Sequence, residues 1–259
     1  MENNYLKDMF GMSGRTVLIT GAAGGLGQSL GRALGLAGAR IIVNDLRSQA
    51  CQQAVQSLTA EGIDAVAAPF DVTKFEEVNA AVSDLGRQGY RVDVLISNAG
   101  TQNRRLVNDM TLDEWRALHS VHIDGGFNCV KAVLPDMMER QFGRIIVVSS
   151  VAGSVAMPGI SAYATAKGAL SSFTRALAVE YGAQGITANA IAPGFVKTPF
   201  TSALQESQAF QDFIDASVPL GRWAMPTDIA PAVVFLASAA GSYVNGHVLT
   251  IDGGLLAKM

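Results

Sequence analysis

Short, almost wholly apolar runs alternate along this chain with longer segments in which apolar residues recur every three or four positions. The short runs are typical of strands buried on both faces of a parallel sheet, and the longer segments indicate helices with one apolar side. Strands are predicted at 16–20, 40–44, 65–68, 92–97, 144–149, 186–191 and 248–251. Helices are predicted near 26–37, 48–61, 75–87, 111–138, 160–182 and 227–238. This alternation favours an α/β fold built from βαβ units.

The chain shows no repeat and no linker-like change in composition, so we expect one domain over residues 1–259. One long irregular segment, from 193 to about 218, follows the penultimate strand and is interrupted by Pro193 and Pro199. A long segment in this position is a candidate lid over a ligand. The alternative is a helical excursion that only packs on the edge of the sheet. Its place directly after a strand favours the lid.

Composition narrows the classes of protein. A hydrophobic content of 49% with only 16% charged residues indicates a folded globule. The net charge of −3 and the lack of a basic cluster argue against nucleic acid as a partner. No stretch approaches the roughly 18 apolar residues of a membrane span, and residues 1–8 lack a secretory pattern. Cys51 and Cys129 suit a reducing compartment, so we expect a cytoplasmic protein with a small-molecule substrate.

Tyr163 and Lys167 are the first candidates for chemistry. Four residues apart on the predicted helix at 160–182, they share one of its faces. An ammonium close to a phenol favours the phenolate, which lowers the tyrosine's pKa from about 10 and makes it a usable acid or base. Ser150 follows the apolar run at 144–149 and offers a hydroxyl to polarise a carbonyl beside that phenol. The spacing alone also occurs on solvated helix faces, so its meaning depends on the rest of the chain.

A glycine-rich turn joins the first predicted strand to the first predicted helix. Its small residues let backbone amides approach a pyrophosphate, and the helix N-terminus favours the negative charge. Tight turns of this kind need glycine in any case, so the turn alone is weak evidence. The candidate dinucleotide contacts in it are Gly21, Gly24, Gly25, Leu26 and Gly27.

The second predicted strand ends at Asp45, at the distance from the glycine turn where an acidic residue binds an adenosine ribose. A carboxylate there accepts hydrogen bonds from the 2′- and 3′-hydroxyls and repels a 2′-phosphate. Leu46, not a basic residue, follows it, although Arg47 is close. The sequence therefore predicts NAD as the cofactor, with NADP less favoured.

The chain resembles the short-chain dehydrogenase/reductase family in the order of its glycine turn, acidic residue, serine, tyrosine and lysine. The match extends over the whole chain. The segments that resemble its motifs are 20–27, 70–72, 97–100, 193–198 and 244–254. The resemblance implies a Rossmann fold with a seven-stranded parallel sheet in the order 3-2-1-4-5-6-7 and helices on both faces. It implies Ser150, Tyr163 and Lys167 as the catalytic set. It implies further cofactor contacts from Leu46, Asp71, Val72, Asn98, Ala99, Gly100, Tyr163, Lys167, Pro193, Gly194, Val196 and Thr198.

The family's chemistry is hydride transfer between a substrate carbon and a nicotinamide ring. By resemblance, Tyr163 exchanges the hydroxyl proton, Lys167 holds the ribose and assists the tyrosine, and Ser150 stabilises the carbonyl oxygen. One position departs from the family, since its usual asparagine is replaced here by His122. The imidazole is a candidate for proton exchange, and the alternative is a buried, hydrogen-bonded histidine. His119 and His122 lack the partners for a metal site, so no metal is assigned.

The substrate is less determined by the sequence. Within the family the chain is most similar to the gluconate 5-dehydrogenases, in features that include Gln102 and Arg104. A guanidinium at Arg104 is suited to pair with a substrate carboxylate, a role that Arg105 is placed to share. Apolar residues near the site point instead to a 3-oxoacyl thioester, a hydrophobic ketone or an aromatic alcohol; these are Val151, Val155, Met157, Phe195 and Phe200.

Two further expectations concern function class and assembly. The substitution at His122 leaves open a nucleotide-binding protein with little catalysis. The predicted helices at 111–138 and 160–182 resemble those that pair subunits in the family, so we expect a homotetramer, with a dimer as the alternative.

Overall fold

The computed structural model describes residues 4–258. Within this range the chain forms one parallel sheet of seven strands in the order β3-β2-β1-β4-β5-β6-β7. The strands are β1 (Thr16–Ile19), β2 (Arg40–Val43), β3 (Ala65–Ala67), β4 (Val94–Ser97), β5 (Gly143–Val148), β6 (Ile186–Pro193) and β7 (Val248–Ile251). The predicted Rossmann-type topology is therefore confirmed. The domain predicted over 1–259 includes residues 1–3 and 259, which lie outside the described range. The predicted lack of a secretory pattern also rests partly on residues 1–3.

Helices connect the strands and cover both faces of the sheet. They are α1 (Tyr5–Phe10), α2 (Gly25–Leu36), α3 (Ser48–Ala60), α4 (Phe75–Arg87), α5 (Leu112–His119), α6 (Gly125–Glu139), α7 (Ser161–Tyr181), α8 (Ser202–Gln205), α9 (Gln208–Ser217), α10 (Pro226–Ala237) and α11 (Leu255–Lys258). In residues 4–258 no helix combines the length and the apolar character needed to cross a bilayer.

The core consists of two apolar layers, one on each side of the sheet. Alternate residues of β1 enter opposite layers, because side chains of a strand point to its two faces in turn. Val17 and Ile19 belong to the layer that includes Leu30 of α2, whereas Leu18 belongs to the layer that includes Leu170 of α7. This arrangement explains why the strands are apolar throughout. It also fixes the ends of the strands, where the functional residues lie.

The single helix predicted at 111–138 is two helices. A π-helical turn at Ser120–Asp124 separates α5 from α6, and it carries the buried His122. A capping box at Thr111 and Glu114 begins α5. Apolar periodicity runs on through the turn, so sequence pattern does not reveal the break. Such turns are frequent at functional sites.

The segment predicted as a lid contains α8 and α9. Backbone hydrogen bonds close its base, with Ala224 donating to Phe195 at 2.8 Å and Lys197 donating to Ala224 at 2.8 Å. Above them, Phe195, Phe210 and Trp223 form an aromatic cluster with ring centres 5.1–6.0 Å apart. The indole of Trp223 donates to Gln211 on α9 at 3.1 Å. The segment, hereafter the cover segment, is thus folded around a small aromatic core.

Candidate active site

The carboxyl ends of the strands, the start of α7 and the cover segment enclose a cavity of about 390 Å³. Ligands bind at this edge in open α/β sheets, because loops diverge there on either side of the central strands. Of the predicted site residues, the structure brings all but three to the wall of this cavity. The exceptions are Leu46, Asp71 and Val72. Leu46 is largely exposed, Asp71 accepts hydrogen bonds from Thr73, and Val72 packs beside Gly125.

Ser150, Tyr163 and Lys167 meet at the centre of the cavity wall. The end of β5 places Ser150, and the first turns of α7 place the other two. Ser149 joins these elements, since its hydroxyl bonds the Lys167 carbonyl oxygen at 2.9 Å and the Ser171 hydroxyl at 2.9 Å. Ser149 thus links the end of β5 to α7 through hydrogen bonds. No sequence motif indicated this role.

Lys167 is almost completely buried, with 4% of its surface exposed. Its ammonium donates to the carbonyl oxygen of Val148 at 2.7 Å. Burial lowers the pKa of Lys167 to about 7, because the charged form loses its hydration. A group that titrates near neutrality can both hold and release a proton at neutral pH.

Tyr163 differs from the expectation. Burial raises the pKa of its phenol, while a hydrogen bond with Ser150 and the positive charge of Arg104 oppose that rise. The predicted lowering by Lys167 is not found in the protein alone, because desolvation of the phenolate is the larger effect. The protein thus keeps Tyr163 as a proton-bearing phenol before ligands bind.

The glycine turn has the shape that a pyrophosphate needs. Gly21 has a positive φ of 62°, and a Cβ on Gly27 would lie 2.5 Å from the Gly21 carbonyl oxygen. Asn98 holds the turn by donating to the carbonyl oxygens of Thr20 at 2.9 Å and Gly21 at 3.1 Å. The Thr20 hydroxyl accepts in return from the backbone amides of Asn98 and Ala99, each at 3.0 Å. Thr20 is therefore a site residue that motif reading left out of the candidate set.

Gly25 is where the glycine turn meets the segment at 193–198. A Cβ on Gly25 would lie 2.9 Å from Pro199 and 3.1 Å from Thr198. The side of the cavity that holds Pro193, Gly194, Val196 and Thr198 thus faces the glycine turn directly. Backbone amides on one side and a threonine on the other form a cradle that fits a dinucleotide.

Asp45, the residue predicted to bind the adenosine ribose, lines the cavity. Its carboxylate already accepts two hydrogen bonds from Arg47, from the backbone amide at 3.1 Å and from Nε at 3.2 Å. Arg47 also lines the cavity and is 72% exposed in its side chain. The guanidinium of Arg47 therefore lies beside the Asp45 carboxylate, and the sequence indicated only that the two residues are close along the chain.

Arg104 and Arg105 are adjacent in the sequence, but their side chains have different partners in the structure. Arg104 lines the cavity, where partial burial lowers the pKa of its guanidinium and the nearby Tyr163 opposes that shift. Arg105 forms a salt bridge with Glu114 at 3.1 Å. Only Arg104 is therefore in place to meet a substrate.

The rest of the wall is largely apolar. The five apolar residues expected near the site all line the cavity, with the addition of Leu204, Phe213 and Leu255. These additions come from the cover segment and α11, whose contacts depend on the tertiary fold. Among residues 4–258 no three or more histidine, cysteine or acidic side chains gather to hold a metal ion.

Comparison with known proteins agrees with this geometry. A family model described as enoyl-(acyl carrier protein) reductase matches residues 21–256. The chain is 40% identical over 251 residues to the 5-keto-D-gluconate 5-reductase of Escherichia coli, covering 97% of this chain and 99% of the relative. It is 35% identical to a 3-oxoacyl-[acyl-carrier-protein] reductase of Thermotoga maritima, covering 95% and 99%.

A solved structure extends the likeness. The gluconate 5-dehydrogenase of Burkholderia cenocepacia, in complex with NADP and tartrate, superposes with a TM-score of 0.96 at 37% identity, covering 98% of this chain and 100% of that one. Motif order, sheet topology and full-length similarity all agree. The chain belongs to the short-chain dehydrogenase/reductase family of nicotinamide-dependent oxidoreductases.

Proposed function

We propose that this oxidoreductase transfers hydride between NAD and a secondary alcohol or ketone of a sugar acid such as gluconate or 5-ketogluconate. The observation that carries the proposal is the placement of Arg104 in the same cavity as Ser150 and Tyr163. A guanidinium binds a carboxylate through two parallel hydrogen bonds. Relatives that act on gluconate or its ketone support the same substrate class.

A nicotinamide held in the cradle would supply the hydride in reduction and accept it in oxidation. Tyr163 gives its phenolic proton to the substrate oxygen in reduction and takes it back in oxidation. The Ser150 hydroxyl donates to the same oxygen and stabilises charge that develops there. Lys167 titrates near neutrality, so it can return a proton to the buried tyrosine. Its hydrogen bond to Val148 fixes the ammonium beside the ring.

The dinucleotide would lie along the cradle. Gly21, Gly24, Gly25, Leu26 and Gly27 would face the pyrophosphate, with Asp45 on the adenosine ribose. Other contacts would come from Asn98, Ala99, Gly100, Pro193, Gly194, Val196 and Thr198. Leu46, Asp71 and Val72 stay proposed contacts of the adenine end, although they lie outside the cavity wall.

We propose NAD over NADP because the Asp45 carboxylate repels a 2′-phosphate. The Arg47 guanidinium bound to Asp45 offsets part of that repulsion. The preference for NAD is therefore expected to be modest, which is compatible with a relative that binds NADP.

A second candidate is a 3-oxoacyl thioester or hydrophobic ketone. The apolar wall formed by Val155, Met157, Phe195 and Phe213 favours it, and a 3-oxoacyl reductase is among the relatives. A nucleotide-binding protein with little catalysis is a weaker third candidate, since Ser150, Tyr163 and Lys167 are assembled at the cavity wall.

We also propose a homotetramer, with a dimer as the alternative. The outer faces of α6 and α7 carry exposed apolar residues, with Phe127 at 49% and Val179 at 86% exposure. Light scattering measures the mass of the assembly directly. The cytoplasmic location stays a prediction from the sequence.

The decisive experiment is a substrate screen with both cofactors. It compares D-gluconate and 5-keto-D-gluconate with a 3-hydroxyacyl thioester and a medium-chain secondary alcohol. We expect the highest kcat/KM with the sugar acids, and Tyr163→Phe should abolish turnover while NAD still binds. Faster turnover of the thioester would select the second candidate. NAD binding without turnover of any substrate would select the third.

A further inference from the structure

His122 occupies the wall of the cavity in an unusual way. It projects from the π-helical turn at Ser120–Asp124 and has only 2% of its surface exposed. Its ring stands edge-on to Tyr163, with ring centres 5.6 Å apart. On another side the ring presses on Gly100, where a Cβ would come within 2.5 Å of the imidazole Cε1. The imidazole thus fills the space between the tyrosine and the loop that follows β4.

The imidazole is bonded to that loop. Its Nε2 lies 2.7 Å from the carbonyl oxygen of Thr101 and 3.2 Å from the Thr101 amide nitrogen. The two contacts require opposite protonation of Nε2, and the shorter one favours a proton on Nε2 that is donated to the carbonyl. Nδ1 is then a buried acceptor, without a partner among residues 4–258. One side chain therefore holds the backbone at Thr101, three residues before Arg104.

We propose that His122 is a positioning residue that ties the loop at 100–105 to Tyr163 and so sets the place of Arg104 relative to the reacting phenol. The inference rests on the proposed function, because Arg104 matters only if the substrate carries a negative group. Without the hydrogen bond from His122 to Thr101, the loop at 100–105 would lose the contact that holds its backbone in place in the cavity.

A positioning role differs from proton exchange by the imidazole itself. The charged or titratable groups that face His122 are Lys167, His119 and Tyr163, with Arg104 beyond the phenol. Burial, together with a smaller effect of the charge of Lys167, lowers the pKa of His122 to about 3. An imidazolium would add a second buried cation beside that lysine. The ring therefore stays neutral across the working range, and its contribution is geometric.

The test uses His122→Phe, which keeps a ring against Gly100 and Tyr163 but cannot donate to Thr101. We expect the KM for D-gluconate to rise about tenfold, the loss of roughly one buried hydrogen bond, while kcat changes less than about threefold. The pH profile of kcat should not move. Hydrogen exchange of the Thr101 amide and its neighbours should become faster. His247→Phe, at an exposed histidine, is the matched control and should leave all four measurements unchanged.

A double-mutant cycle separates positioning from general damage. In an Arg104→Ala background, His122→Phe should add little to the rise in KM, because the residue through which it acts is already gone. His122→Asn tests whether a shorter amide preserves the tie, and we expect intermediate exchange rates.

Three results would overturn the inference. These are a shifted pH profile with unchanged KM, additive effects of the two substitutions, and unchanged exchange at 100–105. The exchange measurement needs no substrate. If the wild-type protein fails to turn over D-gluconate, the proposed function is wrong, and exchange still decides whether His122 ties the loop.

Discussion

The ammonium of Lys167 lies 5.4 Å from the centre of the Tyr163 ring, and its hydrogen bond goes to the Val148 carbonyl oxygen at 2.7 Å. The lysine is thus anchored to the end of β5 beside the tyrosine. Burial of both groups disfavours their charged forms, which are ammonium for one and phenolate for the other. As a result, the Lys167 ammonium can lose a proton near neutral pH.

The buried lysine should make stability depend on pH. Its pKa is lowered to about 7 in the folded protein, so between about 7 and 10 the unfolded chain binds the extra proton. The free energy of unfolding should then rise with pH in this window, by at most about 1.4 kcal/mol per pH unit from this group. Urea unfolding at pH 7, 8 and 9 measures it. Lys167→Met should remove this part of the slope, whereas Lys74→Met, at an exposed lysine, should keep it.

Asp45 and Arg47 should control cofactor choice in opposite directions. Asp45→Ala removes the ribose acceptor and the repulsion of a 2′-phosphate, so we expect a KM for NAD about tenfold higher and a smaller advantage over NADP. Arg47→Ala leaves the carboxylate uncompensated, so NADP use should fall while NAD use stays within about twofold. Ratios of kcat/KM for the two cofactors measure both effects. A wild-type protein that already prefers NADP would contradict the assignment of Asp45.

Arg104 should anchor the carboxylate of the substrate. We expect Arg104→Ala to raise the KM for D-gluconate at least about tenfold, and Arg104→Lys to recover only part of the loss, because an ammonium cannot form the paired bonds. Arg105→Ala is the matched control, since Arg105 is bonded to Glu114. Steady-state kinetics of the three variants provide the comparison. Equal losses at both arginines would indicate a general effect of positive charge.

The imidazole of His122 should require glycine at position 100, because it leaves no room there for a Cβ atom. A Cβ at Gly100 meets the imidazole at 2.5, 3.2 and 3.4 Å, so Gly100→Ala should destabilise the protein by about 1–3 kcal/mol. In a His122→Ala background the same change should cost much less, which thermal or urea unfolding of the four proteins would reveal. Gly86→Ala is the control, because nothing lies within 4 Å of a Cβ there. Additive effects at Gly100 and His122 would contradict this packing.

Sequence patterns predicted the strands and the parallel α/β class, because strands buried on both faces leave strong local patterns, whereas the sheet order and most of the cavity wall came from the family resemblance. Three features depend on tertiary contacts and were missed or wrong. The helix break at Ser120–Asp124 is hidden by continuous apolar spacing. The direction of the Tyr163 pKa depends on burial, which outweighs the opposing effects of Ser150 and Arg104. Arg105 and Arg104 differ only in their tertiary surroundings, since Arg105 pairs with Glu114 and Arg104 lines the cavity.

The aromatic cluster of the cover segment also contains a fluorescent reporter, the indole of Trp223. The chain has two tryptophans, and Trp223 sits buried among Phe195 and Phe210 with its indole bonded to α9. Trp115 lies on α5, away from that cluster. A Trp115→Phe variant would therefore emit from the cover alone. Its fluorescence would report the surroundings of Trp223 when a ligand is added, in real time and without a label.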